Sequence, residues 1–363
     1  MLSSPEMTHV FVSPHPDDVA LSCGGLISSL RELGQSVTIL TVYSGGADAN
    51  VDTGEYRRYG LGFGTKTLWP NTQAFDRSNI AAEYPTSAST AVAPPWMADP
   101  HRLAVTQERA NTQARQFWQR AAWTRSANIT NEADPDRPIA DDVSTQGTLS
   151  LYALEAADAA LRRKAADERY AYFIEAGLVD LDLPDGIHRG YADDDALLGP
   201  PDPGDEPPIE ILRREILRLE PQQVYFPLGV GGHVDHRLCR DAALELLAEG
   251  RSWVMPGPDL AALSSFYEDF PYAWWNGFSG AADIAQMDID LPVGLTLEAR
   301  YSDISDQLER KGAGLRLYVD QVQRLFDDDQ AMLDAIAGYA ARVALAGGVS
   351  SGAAERHWSV VRT

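Results

Sequence analysis

The stretch Val10-Phe11-Val12-Ser13-Pro14-His15-Pro16-Asp17-Asp18 decides the fold that we predict for this chain. Its apolar half lies within residues 8–13, which predicts a buried strand, and apolar residues at helical spacing follow over 19–33. A second apolar run over 37–43 completes a βαβ unit. Because a right-handed crossover joins parallel strands, we expect the loop with His15 at the carboxyl edge of a parallel sheet.

Two polar residues of this loop are expected to face the same direction. Pro16 suits the first position of a helix, because its missing N–H would be unpaired there anyway. His15 then lies near the helix cap, and Asp18 lies three residues further along on the same face. Asp17 points elsewhere, so the two neighbouring carboxylates can have different roles.

A second strand-to-helix junction repeats this arrangement much later in the chain. Residues 223–228 form an apolar run, and Gly229-Val230-Gly231-Gly232 follows as a flexible loop. His233-Val234-Asp235-His236 then begins a predicted helix that extends to about Glu249. The spacing of the two histidines places them on one face of its first turn. Since both junctions follow apolar strands, we expect them at one edge of the sheet.

The remaining segments complete an α/β pattern. Helices are predicted over 151–176, 209–219, about 302–325 and about 330–345, and strands over 178–183, 264–272 and 286–292. We therefore predict an α/β fold, a Rossmann-like three-layer sandwich with a mainly parallel sheet. We expect a single α/β domain that covers residues 1–363.

Residues from about 47 to 150 depart from this pattern. They contain many turn residues, scattered tryptophans and the Pro-rich patch Ala93-Pro94-Pro95-Trp96. We interpret this region as a long insertion after the second strand that packs over the core as a lid. The alternative is a small subdomain far from any site, and aromatic residues alone do not distinguish the two.

The composition restricts the possible partners. The chain of 363 residues can bury a sizeable core, and its formal net charge is -23. That charge argues against a nucleic acid or an anionic membrane surface and favours a small molecule. Two cysteines are too few for a disulfide framework, and no signal peptide or membrane span is visible. We expect a cytoplasmic protein, and the sequence leaves the oligomeric state open.

His15, Asp18 and His236 form a set that suits a metal ion. Two imidazoles and one carboxylate are ligands that Zn²⁺ accepts, and three protein ligands leave a fourth position for water. This is the pattern of a catalytic site rather than of a closed structural one. Cys23 lies further along its helix and Cys239 lies one turn past His236, so we expect both to be small buried core residues.

The neighbours of these ligands suggest metal-assisted hydrolysis of an amide. A bound Zn²⁺ lowers the pKa of water from 15.7 to about 7, and Asp17 is then the natural general base. His233 could stabilise the oxyanion of a tetrahedral intermediate, or it could protonate the leaving amine. Asp235 could orient the His233 ring or support His236 from behind.

Several short motifs occur together in one order. They are Pro14-His15-Pro16-Asp17-Asp18, Gly24-Gly25, Thr41-Val42-Tyr43-Ser44-Gly45, Gly232-His233-Val234-Asp235-His236, Tyr267-Glu268-Asp269-Phe270-Pro271-Tyr272 and Glu355-Arg356-His357-Trp358. In these motifs the chain resembles the PIG-L or LmbE-like family of zinc-dependent N-acetylglucosaminyl deacetylases. The resemblance covers most of the chain except residues 47–150.

The resemblance implies the same site that the chemistry suggests. Zinc would bind His15, Asp18 and His236, with Asp17 as the base and His233 as the partner that stabilises charge. Family members often carry a sugar-binding arginine in a helix and an acid in a turn. These residues would be Arg163 and Asp185 here, although an ion-paired surface arginine and a turn-forming aspartate are equally good readings.

The chain departs from the family pattern in three places. The commonest family motif has Glu where this chain has Val19, and some members carry a tyrosine where this chain has Gly231. The long insertion is the third departure, and it could reshape the pocket.

We therefore predict a zinc-dependent hydrolase, with Fe²⁺ as a possible metal instead. It would remove an N-acyl group, most plausibly N-acetyl, from an amino sugar or glycoconjugate. One alternative is an amidase that acts on a non-sugar amide or a thiol conjugate. Another is a metal-dependent sugar-binding or regulatory protein without turnover, although such a protein would need the ligands but not Asp17.

Overall fold

The structure is a computed structural model that describes residues 7–46, 57–59, 143–191, 193–250 and 259–363. Most of the predicted insertion therefore lies outside the described residues, and its role as a lid stays a prediction. The extent of the domain also stays a prediction. Within the described residues, no helix combines the length and the apolar character that crossing a bilayer requires.

One mixed sheet contains all eight strands of the described residues. They are β1 Thr8–Ser13, β2 Ser36–Thr41, β3 Arg57–Tyr59, β4 Gly177–Asp180, β5 Gln223–Pro227, β6 Ser264–Tyr267, β7 Leu295–Asp303 and β8 Ala354–Arg362. Their spatial order is β3-β4-β2-β1-β5-β6-β8-β7. The central five strands, from β4 to β6, are parallel, whereas β3 and β8 run antiparallel to the strands beside them.

Helices cover both faces of this sheet. They are α1 Asp18–Glu32, α2 Val143–Ile174, α3 Asp194–Leu197, α4 Ile209–Leu219, α5 Val234–Glu249, α6 Leu260–Leu263, α7 Tyr272–Trp275, α8 Ala281–Ile284, α9 Leu308–Leu315, α10 Val319–Leu325 and α11 Asp329–Gly347. From β1 the chain continues to β2 on one side, and from β5 it continues to β6 on the other side. Right-handed crossovers in these two opposite directions place α1 and α5 on opposite faces of the sheet. The predicted α/β fold with a mainly parallel sheet is thereby confirmed.

The sequence predicts the elements on either side of the candidate site closely. β1 covers residues 8–13 as expected, α4 covers 209–219 as expected, and α5 ends at Glu249 as expected. The helix start after β1 differs by a few residues. Asp17 is the N-cap and the helix begins at Asp18, so Pro16 lies before the helix rather than at its first position.

Two expectations for the C-terminal part are wrong, and one strand there was not predicted. Residues 286–292 form a turn and a loop, and the strand β7 follows them after a turn at Gly294. The helix expected over 302–325 is interrupted, because its first residues belong to β7 and a bend separates α9 from α10. The motif that includes Glu355 forms the strand β8, which local periodicity did not predict because its partners β6 and β7 are distant in sequence.

The strand β8 anchors the helix that carries the first loop. The buried Glu355 carboxylate accepts the backbone N–H groups of Gly25 at 3.0 Å and of Leu26 at 2.7 Å, both in the middle of α1. It also accepts a hydrogen bond from Lys311 Nζ at 2.7 Å. A side chain at Gly25 would meet Ile304 at 2.7 Å, so a glycine permits this close packing of α1.

The order of the strands determines where a site can form. β1 and β5 are neighbours, and the chain leaves them in opposite directions along the sheet. Such a reversal opens a crevice at the carboxyl ends of the strands, where ligands bind in open α/β sheets. The loops that follow β1 and β5 are the two loops with the predicted site residues.

Candidate active site

The loop after β1 is held in a strained conformation by its own side chains. Ser13 Oγ donates a hydrogen bond to the carbonyl oxygen of His15 at 2.6 Å, and the backbone N–H of His15 donates to Asp18 Oδ2 at 2.7 Å. Between them Asp17 has φ 106° and ψ -31°, a region that residues other than glycine rarely adopt. Strain of this kind persists where the surrounding structure fixes the backbone, as it does in many active sites.

The side chains of the candidate ligands His15, Asp18 and His236 lie close together. Asp18 Oδ2 is 3.2 Å from His15 Nδ1 and 3.3 Å from His236 Nε2. All three side chains are buried. The structure therefore brings the three ligands that the sequence predicts to one point between the ends of β1 and β5.

In each of the two imidazoles, the ring nitrogen that does not face Asp18 contacts a buried carboxylate. His15 Nε2 is 2.7 Å from Asp235 Oδ2, and His236 Nδ1 is 2.7 Å from Asp269 Oδ1. A carboxylate behind an imidazole fixes its tautomer and makes its other nitrogen a better ligand. The nitrogens that face Asp18 are therefore the ones available to a cation.

Two distances within this set are compatible with a tetrahedral metal ion. Bonds of about 2.0–2.1 Å in a tetrahedral site place ligand atoms about 3.3–3.4 Å apart, close to the 3.2 Å and 3.3 Å from Asp18 Oδ2 to a nitrogen of each imidazole. Ligand atoms of His15, His233 and His236, one from each residue, also lie within 4.8 Å of one another, as do those of His15, Asp185 and Asp235. Asp18 stays the predicted third ligand, and it contacts both imidazoles and supplies a negative charge.

The electrostatics of the site favour positive charge at this point. Burial alone would lower the pKa of His15, but Asp185, Asp18 and Asp235 outweigh it and raise this pKa to about 9. For His236, burial is likewise outweighed by Asp18 and Asp269, and its pKa is raised. A field that retains protons on two imidazoles also attracts a metal cation in their place.

His233 differs from these two histidines in its surroundings. It is the N-cap of α5, and its Nδ1 accepts the backbone N–H of Asp235 at 3.3 Å. Burial, together with the charges of His15 and His236, lowers the pKa of His233 to about 3. The neutral ring therefore carries its proton on Nε2, and this nitrogen is a hydrogen-bond donor.

Asp17 lines the same pocket as the candidate ligands. Burial and the adjacent Asp18 carboxylate raise the pKa of Asp17, while Arg163 and His15 oppose this shift. A carboxylate with raised proton affinity suits a group that accepts a proton near neutral pH. The role of Asp17 as a general base stays a prediction.

The structure places Asp235 differently from either expectation. Its carboxylate contacts His15 rather than His233 or His236, and it also accepts the backbone N–H of Gly186 at 3.0 Å. Consecutive side chains of an α-helix point about 100° apart. Asp235 and His236 are neighbours in the first turn of α5, so their side chains face different parts of the site. Asp235 therefore connects α5 to the loop after β1.

The two residues suggested for sugar binding also line the pocket. Arg163 on α2 donates to Asp185 Oδ2 at 2.8 Å, and Asp185 caps a short 3₁₀ turn at Gly186–His188. They form a buried ion pair with each other, and Asp185 Oδ1 is also 3.9 Å from His15 Nε2. Their role toward a substrate stays a prediction.

Three residues of the site were missed in the sequence. Asp269 supports His236, Arg189 pairs with Asp235 and lies 4.6 Å from the centre of the Tyr43 ring, and Tyr272 lines the pocket. Asp269 and Tyr272 belong to the motif after β6, which also ends at the carboxyl edge of the sheet. That position is the available signal, whereas the sequence pattern predicts only a strand over 264–272.

Comparison with protein-family models finds a match. Residues 10–67 match the family model described as PIG-L, GlcNAc-PI de-N-acetylase. Comparison with curated protein sequences finds no match.

Two solved structures share the fold of the chain. One is the deacetylase of the A40926 pseudoaglycone, an antimicrobial reagent, with 19% identity, a TM-score of 0.50 and coverage of 99% of this chain and 98% of that chain. The other is the zinc-inhibited form of a teicoplanin deacetylase, with 20% identity, a TM-score of 0.50 and coverage of 98% of both chains. At these identities the likeness concerns the fold alone. The resemblance predicted from the motifs is thereby confirmed over residues 10–67, where the chain matches the PIG-L family model.

Proposed function

We propose that this protein is a metal-dependent hydrolase that removes an N-acetyl group from an amino-sugar-containing substrate. The observation that carries the proposal is the position of the Asp18 carboxylate within 3.3 Å of a nitrogen of both His15 and His236, with Asp17 lining the same pocket. A binding protein would need the three ligands but has no use for a strained, buried carboxylate beside them.

Different residues of the site have different roles in the hydrolysis of the amide. A divalent metal ion bound by His15, Asp18 and His236 would supply Lewis acidity and lower the pKa of water. Asp17 accepts a proton from the attacking water while the oxygen of that water forms a bond to the carbonyl carbon of the substrate. His233 donates its Nε2–H to the carbonyl oxygen, which gains negative charge in this step.

The second half of the reaction breaks the C–N bond. The electron pair of this bond goes to the amide nitrogen, which needs a proton before it leaves as an amine. Asp17 holds the proton that it took from water, so it returns that proton to the leaving nitrogen. Acetic acid and a free amine are then the products, and Asp17 is again ionised; the acid passes its remaining proton to the amine or to solvent, which leaves acetate.

The substrate class rests on the family match and on the names of similar structures. The matching family model is that of an enzyme that removes the acetyl group from GlcNAc-PI, and the similar structures are deacetylases of glycopeptide antibiotics. Arg163 and Asp185 line the pocket beside the candidate ligands, where they can bind sugar hydroxyl groups. The chain net charge of -23 agrees with a substrate that is neutral or cationic.

We propose Zn²⁺ as the metal, with Fe²⁺ as the alternative, because imidazole and carboxylate ligands suit both. One of the similar structures is described as a zinc-inhibited form. Metal titration therefore needs to extend from below one equivalent to a clear excess.

The experiment that tests the function combines metal analysis with an acetate-release screen. Protein loaded with one equivalent of Zn²⁺ or Fe²⁺ is incubated with N-acetyl sugars, their glycosides and non-sugar N-acetyl amides. We expect acetate release from amino-sugar substrates only in the metal-loaded protein. Release from the non-sugar amides alone would favour the amidase alternative, and metal binding without any turnover would favour a sugar-binding protein.

A further inference from the structure

The glycine loop before α5 makes room for an aromatic side chain. Gly231 has a φ of +93°, and a Cβ atom at this position would lie 2.5 Å from Cγ of Tyr272. No real Cβ atom tolerates such a contact with a ring, so any other residue at 231 would displace Tyr272. The absence of a side chain at Gly231 therefore determines where the Tyr272 ring lies.

The ring that fills this space reaches the candidate metal ligands. Tyr272 packs edge-on against His236, with ring centroids 5.8 Å apart and an interplanar angle of 89°. Its other neighbour is Trp275, also edge-on, with centroids 5.8 Å apart. Tyr272 lines the same pocket as Asp17 and His233. Tyr272 is the first residue of α7, so it approaches the pocket from the segment that follows β6.

The hydroxyl group of Tyr272 has no protein acceptor among the residues that the structure describes. Two fully buried tyrosines of the chain do have one: Tyr267 donates to the carbonyl oxygen of Val12 at 2.8 Å, and Tyr318 donates to Asp167 Oδ1 at 2.7 Å. Tyr272 is partly buried and lines the pocket, so a ligand in the pocket can be the partner of its hydroxyl.

We propose that Tyr272 is a catalytic residue that donates a hydrogen bond to the carbonyl oxygen of the substrate, beside His233. This inference rests on the proposed function and adds a second donor to it. The hydroxyl keeps its proton throughout, so the proton balance between water, Asp17 and the leaving nitrogen does not change. The two donors come from the segments that follow β5 and β6. Preorganised donors of this kind stabilise the negative charge of a tetrahedral intermediate.

The kinetic test is Tyr272→Phe in the metal-loaded protein, with Tyr170→Phe as the matched control. Tyr170 also has a buried hydroxyl without a hydrogen-bond partner, but it lies behind α1 and not in the pocket. We expect Tyr272→Phe to lower kcat by about 10²–10³-fold, with KM within about threefold, since one oxyanion donor is lost. Metal content and melting temperature should stay at wild-type values, because the ring remains.

A second measurement does not need turnover. Methylphosphonate carries a methyl group on a tetrahedral centre with anionic oxygens and so imitates the intermediate of acetamide hydrolysis. Calorimetric titration of metal-loaded protein should show affinity for methylphosphonate at least about tenfold weaker in Tyr272→Phe than in wild type or Tyr170→Phe, as loss of a charge-assisted hydrogen bond implies.

The outcomes separate the inference from the proposed function. Unchanged kcat and unchanged methylphosphonate affinity in Tyr272→Phe would overturn the inference and leave the deacetylase intact. An equal loss in Tyr170→Phe would also overturn it, because the effect would then be structural. If the wild type releases no acetate from any substrate, the proposed function fails, and the methylphosphonate titration alone decides whether Tyr272 binds an oxyanion.

Discussion

His15, His233 and His236 lie within 4.8 Å of one another, yet their hydrogen-bond partners give them different chemistry. His15 and His236 each have a carboxylate behind the ring, which raises their pKa values and directs one nitrogen toward Asp18. His233 has a backbone N–H as its partner instead, and burial lowers its pKa. Residue type alone therefore does not distinguish a candidate metal ligand from a candidate hydrogen-bond donor among these histidines. The hydrogen-bond partner of the ring nitrogen that faces away from the candidate metal position does distinguish them.

The supporting carboxylates lead to a first prediction. Asp235→Asn and Asp269→Asn should each weaken Zn²⁺ binding about 10–100-fold, because a neutral amide orients the imidazole but no longer makes it more basic. The metal dissociation constant, measured by competition with a chromogenic chelator, checks this expectation. Far-ultraviolet circular dichroism shows whether the variants are folded.

Asp205→Asn is the matched control for Asp235. Asp205 pairs with Arg189, as Asp235 does, but it contacts neither candidate imidazole. Its replacement should leave the metal dissociation constant within about twofold of the wild type. If Asp235→Asn and Asp205→Asn bind Zn²⁺ equally tightly, the carboxylate behind His15 has no influence on the metal.

At the scale of elements, α1 is fixed by a contact that involves three separate parts of the chain. Glu355 on β8 accepts two backbone N–H groups of α1, and Lys311 on α9 neutralises it. Both charged side chains are about 95% buried. Since the loop with His15 precedes α1, this contact also fixes the position of the candidate site.

A second prediction tests this buried pair. Lys311→Met should lower the free energy of unfolding by about 3 kcal/mol, because it leaves the buried Glu355 charge without its cation. Arg300→Met is the control, since the Arg300–Glu298 pair is largely exposed and its loss should cost under about 1 kcal/mol. Urea unfolding followed by tryptophan fluorescence measures both values.

The double variant Lys311→Met with Glu355→Gln sharpens this test. Glutamine is neutral and needs no cation beside it, so the cost of the double variant should be clearly less than the sum of the two single costs. Simple additivity of the two costs would mean that the pair does not interact in the folded protein.

Elements that depend on local sequence were predictable, and elements that depend on distant partners were not. The junctions at His15 and His233 follow from apolar runs, turn residues and helix caps, which all lie within a few residues. β8 pairs with β6 and β7, and Asp269 acts on His236 across two strands. Periodicity contains no information about such contacts, so the strand β8 and the role of Asp269 appear only in the structure.

At the scale of the whole molecule, the site lies where the direction of the chain along the sheet reverses. The predicted ligands come from the loop after β1 and from the first turns of α1 and α5. The carboxylates that contact their imidazoles come from the segment after β6 and from the first turn of α5. The sheet therefore determines the distance between residues that are far apart in sequence. The fold class followed from the order of the elements, whereas this reversal was not evident from any one of them.

The same sheet contains two histidines that affect stability rather than catalysis. His9 on β1 stacks on Tyr225, and His357 on β8 packs edge-on against the same ring. Each has one buried ring nitrogen without a partner among the described residues. Burial lowers the pKa of each to about 4, and Arg300 adds to the effect at His357.

A third prediction concerns the pH dependence of unfolding. Below pH 6.5 the unfolded chain protonates His9 while the folded protein does not until about pH 4, so stability falls as the pH falls through this window. His9→Phe keeps an aromatic ring but removes this group. From pH 7 to pH 5 the wild type should lose about 1–2 kcal/mol more than His9→Phe.

His357→Phe should behave in the same way, since its folded pKa is also about 4. Chemical denaturation of wild type and both variants at pH 7, 6 and 5 gives the comparison. Parallel stability curves for all three proteins over this range would show that neither histidine is buried in its neutral form.

The measurement that tests the central claim most directly is metal content and acetate release determined side by side for wild type, His236→Ala and Asp17→Asn. Asp17→Asn should retain one equivalent of metal while acetate release falls by about 10²–10⁴-fold, because only the general base is lost. His236→Ala should lose metal and activity together, because a ligand is removed. Full metal occupancy in His236→Ala, or wild-type acetate release by Asp17→Asn, would contradict the account of this site.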